Sequence, residues 1–360
     1  MNFDEIINKI NVDLNNPSEK IKLDLIYAFN GTGKTRISRF LLENNSDRCL
    51  CFNSLFQDEF IWNNDDFILN IRKNSWIVKM IYDQGLQNKI VDNFQKIYND
   101  SIEPIFNEDC LKIYFNAKTE EGYDTFIKIS KAEETVFILS IFYTFLDLAI
   151  LELQEDKENR STDIFNNLEI IIIDDPVSSV DDRIILKLAI LISKIIEKCI
   201  SDNNQHILSK FLITTHHSLF YNSIYNLVNR NKNIKNNAYI LLKENYYYKL
   251  EKRTDTTFGY HLYLINNIQK DIDNQIIKKE HFNMFRIILE KTANYFGYSK
   301  YDICLPESKY KSELIRLVNL YSHGNFPDFG YSELTENEKE VLKNSFADYL
   351  KKYDMEVCNE

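Results

Sequence analysis

Apolar residues along the 360-residue chain fall into two kinds of pattern, short unbroken blocks and helically spaced stripes. The block Leu25-Ile26-Tyr27-Ala28 runs into Phe29-Asn30-Gly31-Thr32-Gly33-Lys34-Thr35-Arg36-Ile37-Ser38, which predicts a strand, a tight loop and the first turns of a helix. Leu168-Glu169-Ile170-Ile171-Ile172-Ile173 is too short for a helix and ends in paired carboxylates, the pattern of a buried central strand. After the polar stretch 231–237, residues 238–243 predict a closing strand. Residues 135–146 are apolar and uncharged for 12 positions, and Asp147 follows; that length suits a buried core helix better than a membrane span. Residues 281–296 have helical period, with Phe282, Phe285, Leu289, Ala293 and Phe296 on one stripe. Residues 311–321 predict a further helix, with Gly324 as its stop.

The first block carries chemistry. Gly31 and Gly33 let backbone N–H groups approach phosphate oxygens, Lys34 reaches the β- and γ-phosphates, and the Thr35 hydroxyl ligates Mg²⁺ at a positive helix N-terminus. Asn30, Thr32 and Arg36 complete the expected nucleotide contacts. Ala28 stands where the usual pattern opens with glycine. The second block supplies the matching acids: Asp174 to hold the Mg²⁺ water shell, and Asp175 to orient or deprotonate the attacking water.

The run Asp174-Asp175-Pro176-Val177-Ser178-Ser179-Val180-Asp181 resembles the Walker B and D-loop of ABC-type ATPases, the class that includes the SMC and RecF proteins. That resemblance implies further positions. Phe211-Leu212-Ile213-Thr214-Thr215-His216 is similar to the strand ending in the switch histidine, with His217 as the neighbouring alternative. Ile129-Ser130-Lys131-Ala132-Glu133-Glu134 stands at the signature loop, where Ser130 would meet the γ-phosphate held by a second subunit, although Ala132 replaces the usual glycine. Gln57 occupies the place of the Q-loop glutamine. A head-to-tail homodimer or higher oligomer through the ATPase heads is thereby implied. About 95 residues separate Thr35 from Ser130, too few for long coiled-coil arms. The nucleotide is ATP or GTP, since no guanine-reading Asn-Lys-x-Asp follows the loop.

Composition narrows the picture in two respects. The six cysteines are scattered without paired spacing, which fits neither a disulfide framework nor a zinc site, and no signal peptide precedes the loop; the expected compartment is a reducing cytoplasm, with no membrane partner. The formal net charge of −11 argues against nonspecific nucleic-acid binding, but it is unevenly placed. Residues 243–323 hold 13 Lys and Arg against 10 Asp and Glu, whereas residues 324–360 hold 4 against 9. The mildly basic segment is rich in tyrosine, including Tyr295, Tyr298, Tyr301 and Tyr310, and aromatic rings among cations suit stacking on splayed RNA bases.

Within that segment Arg286 and Glu290 lie four apart on one helix, and His323 follows at the end of the next. Singly, these read as an intrahelical salt bridge and a helix cap. Together they are the groups that cleave RNA without metal: the ribose 2′-OH attacks the adjacent phosphorus, Glu290 and His323 act as base and acid in either order, and Arg286 holds the phosphate. The ends would be a 2′,3′-cyclic phosphate and a 5′-OH. With this arrangement, the loop lead-in Ile26-Tyr27-Ala28-Phe29-Asn30 and the 130–134 and 174–181 segments, the chain resembles the PrrC family of anticodon nucleases. The resemblance implies an α/β, ABC/SMC-like P-loop ATPase head without long coiled coil (1–242), followed by a mainly α-helical nuclease domain (243–360). It also implies an antiphage toxin that cuts the tRNA anticodon stem-loop without a cofactor for the cut, is controlled by nucleotide hydrolysis, and is silenced by a restriction-modification complex or another defence module. The rival reading is a RecF- or SMC-like ATPase that acts on DNA or regulates a separate effector nuclease.

Overall fold

The computed structural model describes residues 2–16, 20–98, 101–178, 180–200, 208–244, 247–253, 260–322 and 334–355. The chain divides into two compact units, Met1–Thr257 and Phe258–Glu360.

The first unit is α/β. In chain order it runs α1 (Phe3–Asn15), β1 (Ile21–Ala28), α2 (Lys34–Asn44), β2 (Cys49–Phe52), α3 (Ser54–Gln57), β3 (Phe60–Asn63), β4 (Ile68–Ile71), α4 (Trp76–Asp83), α5 (Gln87–Ile97), β5 (Ile102–Phe106), β6 (Lys112–Thr119) and β7 (Gly122–Asp124). It continues with α6 (Lys131–Gln154), β8 (Ile170–Asp174), α7 (Asp182–Lys198), β9 (Lys210–Thr215), α8 (Ser218–Val228), β10 (Ile234–Glu244) and β11 (Tyr247–Arg253). The main sheet has the order β11-β10-β1-β9-β8-β2, parallel from β10 to β2. Its central strands β1 and β8 are buried at every position, as expected where helices cover both faces. Register between β1 and β10 is reinforced by the buried pair Asn237 Nδ2 to Asp24 Oδ1, 2.9 Å. A second sheet, β3-β4-β6-β5 with β7 on β6, is antiparallel and has no counterpart in the sequence reading.

Two elements extend beyond what the sequence pattern predicts. The helix expected over 135–146 is the 24-residue α6, opened by a capping box at Ser130 and Glu133. Asp147 does not end it, because Lys89 of α5 and Lys198 of α7 bind that carboxylate at 2.8 and 2.6 Å. By length and composition α6 could cross a membrane, but 72% of its most apolar window is buried inside the fold, as in a core helix. The strand expected over 238–243 is the longer β10, which lies beside β1; β11 pairs back on it from Glu244↔Tyr247 to Ala238↔Arg253. The compact first unit therefore reaches Thr257, past the expected division at 242/243.

The second unit is helical: α9 (Tyr260–Asp273), α10 (Glu280–Phe296), a 3₁₀ turn at Tyr301–Cys304, α11 (Lys311–Ser322) and α12 (Glu336–Lys352). Phe282, Phe285, Leu289 and Ala293 of the predicted stripe are buried in its core with Leu314, Leu317 and Phe346. Phe296, at the end of the stripe, is 48% exposed.

Candidate functional site

Parallel pairing brings the C-terminal ends of β1, β9 and β8 to one sheet edge, where open α/β sheets bind ligands. The loop after β1 turns through Gly31 at φ +78° and Gly33 at φ +106°, conformations that side chains resist. A Cβ on Gly33 would also lie 2.5 Å from the Phe3 ring. Thr32 Oγ1 donates to the Phe29 carbonyl at 2.6 Å and tightens the turn. Lys34 opens α2 and is only 7% exposed; its ammonium donates to Ala28 O at 3.0 Å, Phe29 O at 3.3 Å and Asn30 Oδ1 at 3.1 Å, and faces Asp175 at 3.4 Å.

The two aspartates are held differently. Burial pushes the Asp174 carboxyl above its ordinary range, and the adjacent Asp175 charge adds to this, although Thr214, Thr35 and Ser38 all hydrogen-bond to it. Burial works the same way on Asp175, but the His216 ring, the Lys34 charge and the His216 backbone N–H outweigh it and hold that carboxyl below its ordinary value. His216 Nδ1 lies 2.7 Å from Asp175, whereas His217 Nε2 lies 3.9 Å from Asp182, so His216 is the histidine at the paired acids. Asp175 adopts φ +52°, which turns its carboxylate toward both Lys34 and His216. The donor set fits a hard divalent cation: the Thr35 hydroxyl and the Asp174 carboxylate are oxygen donors of the kind such an ion takes, and it would supply the positive charge that this buried carboxylate lacks.

Other expected contacts lie further out. Arg36 is turned onto α1, with Nη2 on Asp4 at 2.8 Å and its guanidinium 4.6 Å above the Phe3 ring. Gln57 ends α3, just beyond β2, whose Phe52 pairs with Ile173 beside Asp174. Ser130 is exposed at the tip of α6, and its hydroxyl accepts from Glu133 N at 3.3 Å. Ser38 and Thr214 were not anticipated. Ser38 follows Thr35 by one turn and was readable; Thr214 reaches Asp174 only through the β8–β9 pairing, which no local pattern reveals.

In the helical unit Arg286 Nε donates to Glu290 Oε1 at 2.7 Å, one turn along α10. The guanidinium sits 5.5 Å above the Tyr301 ring, and its Nη1 is buried with no hydrogen-bond partner among the described residues. Tyr301 is pinned in turn by its hydroxyl, which donates to Asn319 Oδ1 at 2.9 Å. Glu290, 46% exposed, opens onto a cleft of about 440 Å³ shared with Asn294, Tyr298, Lys300, Tyr301 and Asn319. A carboxylate open to solvent can exchange a proton with a group bound in the cleft, and the guanidinium tied to it holds its orientation. His323 lies outside the described residues.

Comparison with known proteins gives four results. The profile of the AAA domain family matches residues 99–347. The chain is 35% identical to the anticodon nuclease of Escherichia coli over 365 aligned positions, covering 92% of this chain and 88% of that one. Among solved structures it is similar to an Smc head bound to the C-winged helix domain of ScpA, with TM-score 0.37 and 11% identity over 66% of this chain and 91% of that chain. The SMC head domain from Thermotoga maritima gives TM-score 0.33 and 9% identity over 66% and 92%.

Proposed function

Because the chain belongs to the anticodon nuclease family and to the AAA domain family, we propose that it is a tRNA-cutting enzyme governed by nucleotide. In this reading the α/β unit binds and hydrolyses ATP or GTP, and the helical unit cuts the anticodon stem-loop. The observation that carries it is the pairing, in one chain, of the closed Lys34–Asp175–His216 network with the open Arg286–Glu290 pair.

At the first site Thr35 and Asp174 would hold Mg²⁺, which neutralises phosphate charge when bound. Asn30, Gly31, Thr32, Gly33 and Lys34 cradle the phosphates, while Asp175, oriented by His216, holds the attacking water. Ser130, exposed at the tip of α6, is suited to complete the site of a second copy of the chain in a homodimer.

At the second site the ribose 2′-OH attacks the adjacent phosphorus and the bond to the 5′ oxygen breaks. Glu290 and His323 take the proton from the 2′-OH and return one to the departing oxygen. Arg286, tied to Glu290, stabilises the charge that grows on the phosphoryl oxygens. The products are a 2′,3′-cyclic phosphate and a 5′-OH, and the chemistry asks for no metal. Control of this cut by nucleotide suits an antiphage toxin kept silent by a restriction-modification complex or another defence module.

Sequencing of 5′-OH RNA ends from cells expressing the protein tests the reading. Ends gathered in the anticodon loops of one or a few tRNAs are expected. Scattered ends, or new ends carrying only 5′-phosphate, would overturn it.

A further inference from the structure

Helix α10 ends in a group of aromatic rings, of which Tyr353 also packs against the core and the others lie outside it. Gly297, at φ +69°, closes the helix with Gly297 N donating to Asn294 O at 3.3 Å and Tyr298 N to Ala293 O at 2.8 Å, the paired bonds of a Schellman turn. This reversal lays the Tyr298 ring beside Phe296, centroids 5.6 Å apart and 19° from parallel. Tyr353, after α12, stacks with Phe296 at 5.5 Å and 24°, and Tyr295 meets it edge-on at 5.1 Å. Tyr295 is 84% exposed and Phe296 48%, so this much aromatic surface faces water at a helix end.

Two further features indicate what covers it. The patch is continuous with the cleft, since Tyr298 lines both, and Phe296 lies six positions beyond Glu290, about 9 Å of helix rise. One cation adjoins the rings: Lys300 lines the cleft with the carboxylates Glu290 and Asp302, whereas the Lys352 ammonium donates to Ile303 O at 2.9 Å and covers the Tyr353 ring at 5.5 Å.

We propose that Tyr295, Phe296 and Tyr298, backed by Tyr353, form a stacking platform for the unpaired ribonucleotides next to the scissile phosphate, with Lys300 on their backbone. The inference rests on the nuclease reading and adds to it the residues that hold the RNA. Flat rings accept any base by stacking, and the Lys300 ammonium meets a phosphate, so the platform selects unpaired strand over duplex.

Filter binding in EDTA, with full-length protein and a total tRNA pool, tests this alongside a cleavage assay on the same pool. Tyr295→Ala and Phe296→Ala should each weaken tRNA binding about tenfold, and Tyr295→Phe should stay within about twofold of the unsubstituted protein. A 12-base-pair RNA duplex should bind weakly and be indifferent to all three substitutions. Equal tRNA binding by the Ala variants, or no tRNA binding by the unsubstituted protein, overturns the platform. Platform-dependent binding without any cut upholds the platform and overturns the nuclease reading; cleavage with binding indifferent to the rings does the reverse.

Discussion

The Lys34 loop and the Arg286–Glu290 pair both set a basic side chain against a carboxylate, but they finish the arrangement differently. Lys34 is 7% exposed and already meets four oxygens, two of them backbone carbonyls of its own loop. Among the described residues Arg286 makes one hydrogen bond, to a glutamate 46% exposed, and its buried Nη1 has no partner. A fully satisfied cation fixes a geometry, because every movement breaks a bond it has already made. A partly satisfied one keeps a donor for something that arrives. The first arrangement suits an anchor for a ligand of constant shape. The second suits a charge that appears only while a phosphate is being broken.

The largest effect that would break this contrast is at the open site. Arg286→Ala should lower tRNA cleavage about a thousandfold, read as 5′-OH ends formed per minute, and leave nucleotide binding intact. If cleavage survives, the pair is an ordinary helical salt bridge. Next comes the closed site: Lys34→Ala should weaken nucleotide binding roughly 10- to 100-fold in a fluorescent-nucleotide titration and uncouple cleavage from nucleotide. An unchanged affinity would mean that the four-oxygen cage holds only the loop.

A pH measurement sharpens the contrast further. Asp175 is held below its ordinary value of 3.8 in the folded chain, so its stabilising contribution is complete above that value and fades as pH falls through the lower, folded one. His216→Ala should return the Asp175 pKa toward 3.8, so that acid unfolding, followed by circular dichroism, begins at higher pH. An unshifted acid transition would show that Lys34 alone holds the charge.

The smallest effects come from matched glycines. Gly31 and Gly297 both sit at positive φ with open space where a Cβ would go. Gly31→Ala and Gly297→Ala should each cost about 1 kcal/mol, a drop of a few degrees in Tm. The first should weaken nucleotide binding only, the second RNA binding only. Equal effects on both ligands would erase the distinction between the regions.

Much of the closed site was legible because its chemistry is local. The spacing of Gly31, Gly33, Lys34 and Thr35 and the acids at the end of the Ile170–Ile173 run could each be read without a fold. What escaped reading depends on contacts between distant segments. Asp147 reads only as the charge that follows an apolar run, and its partners Lys89 and Lys198 are set beside it by the fold. Arg36 reads as a phosphate ligand until Phe3 and Asp4 are placed under it. Thr214 gains its role from strand pairing, and Tyr301 from lying under a guanidinium fifteen positions earlier. The antiparallel sheet β3–β7 stayed unread because its strands are short and several residues in them face water.

The clasp on Asp147 also sets a problem of timing during synthesis. Helix α6 carries an 18-residue window of mean hydropathy 2.1, the kind of segment that a membrane-insertion machinery can mistake for a span. Lys89 has already been made when Asp147 emerges, but Lys198 follows 51 residues later. At 5–20 residues per second that is about 3–10 s of waiting. Through that interval only Lys89 of the two partners of Asp147 exists.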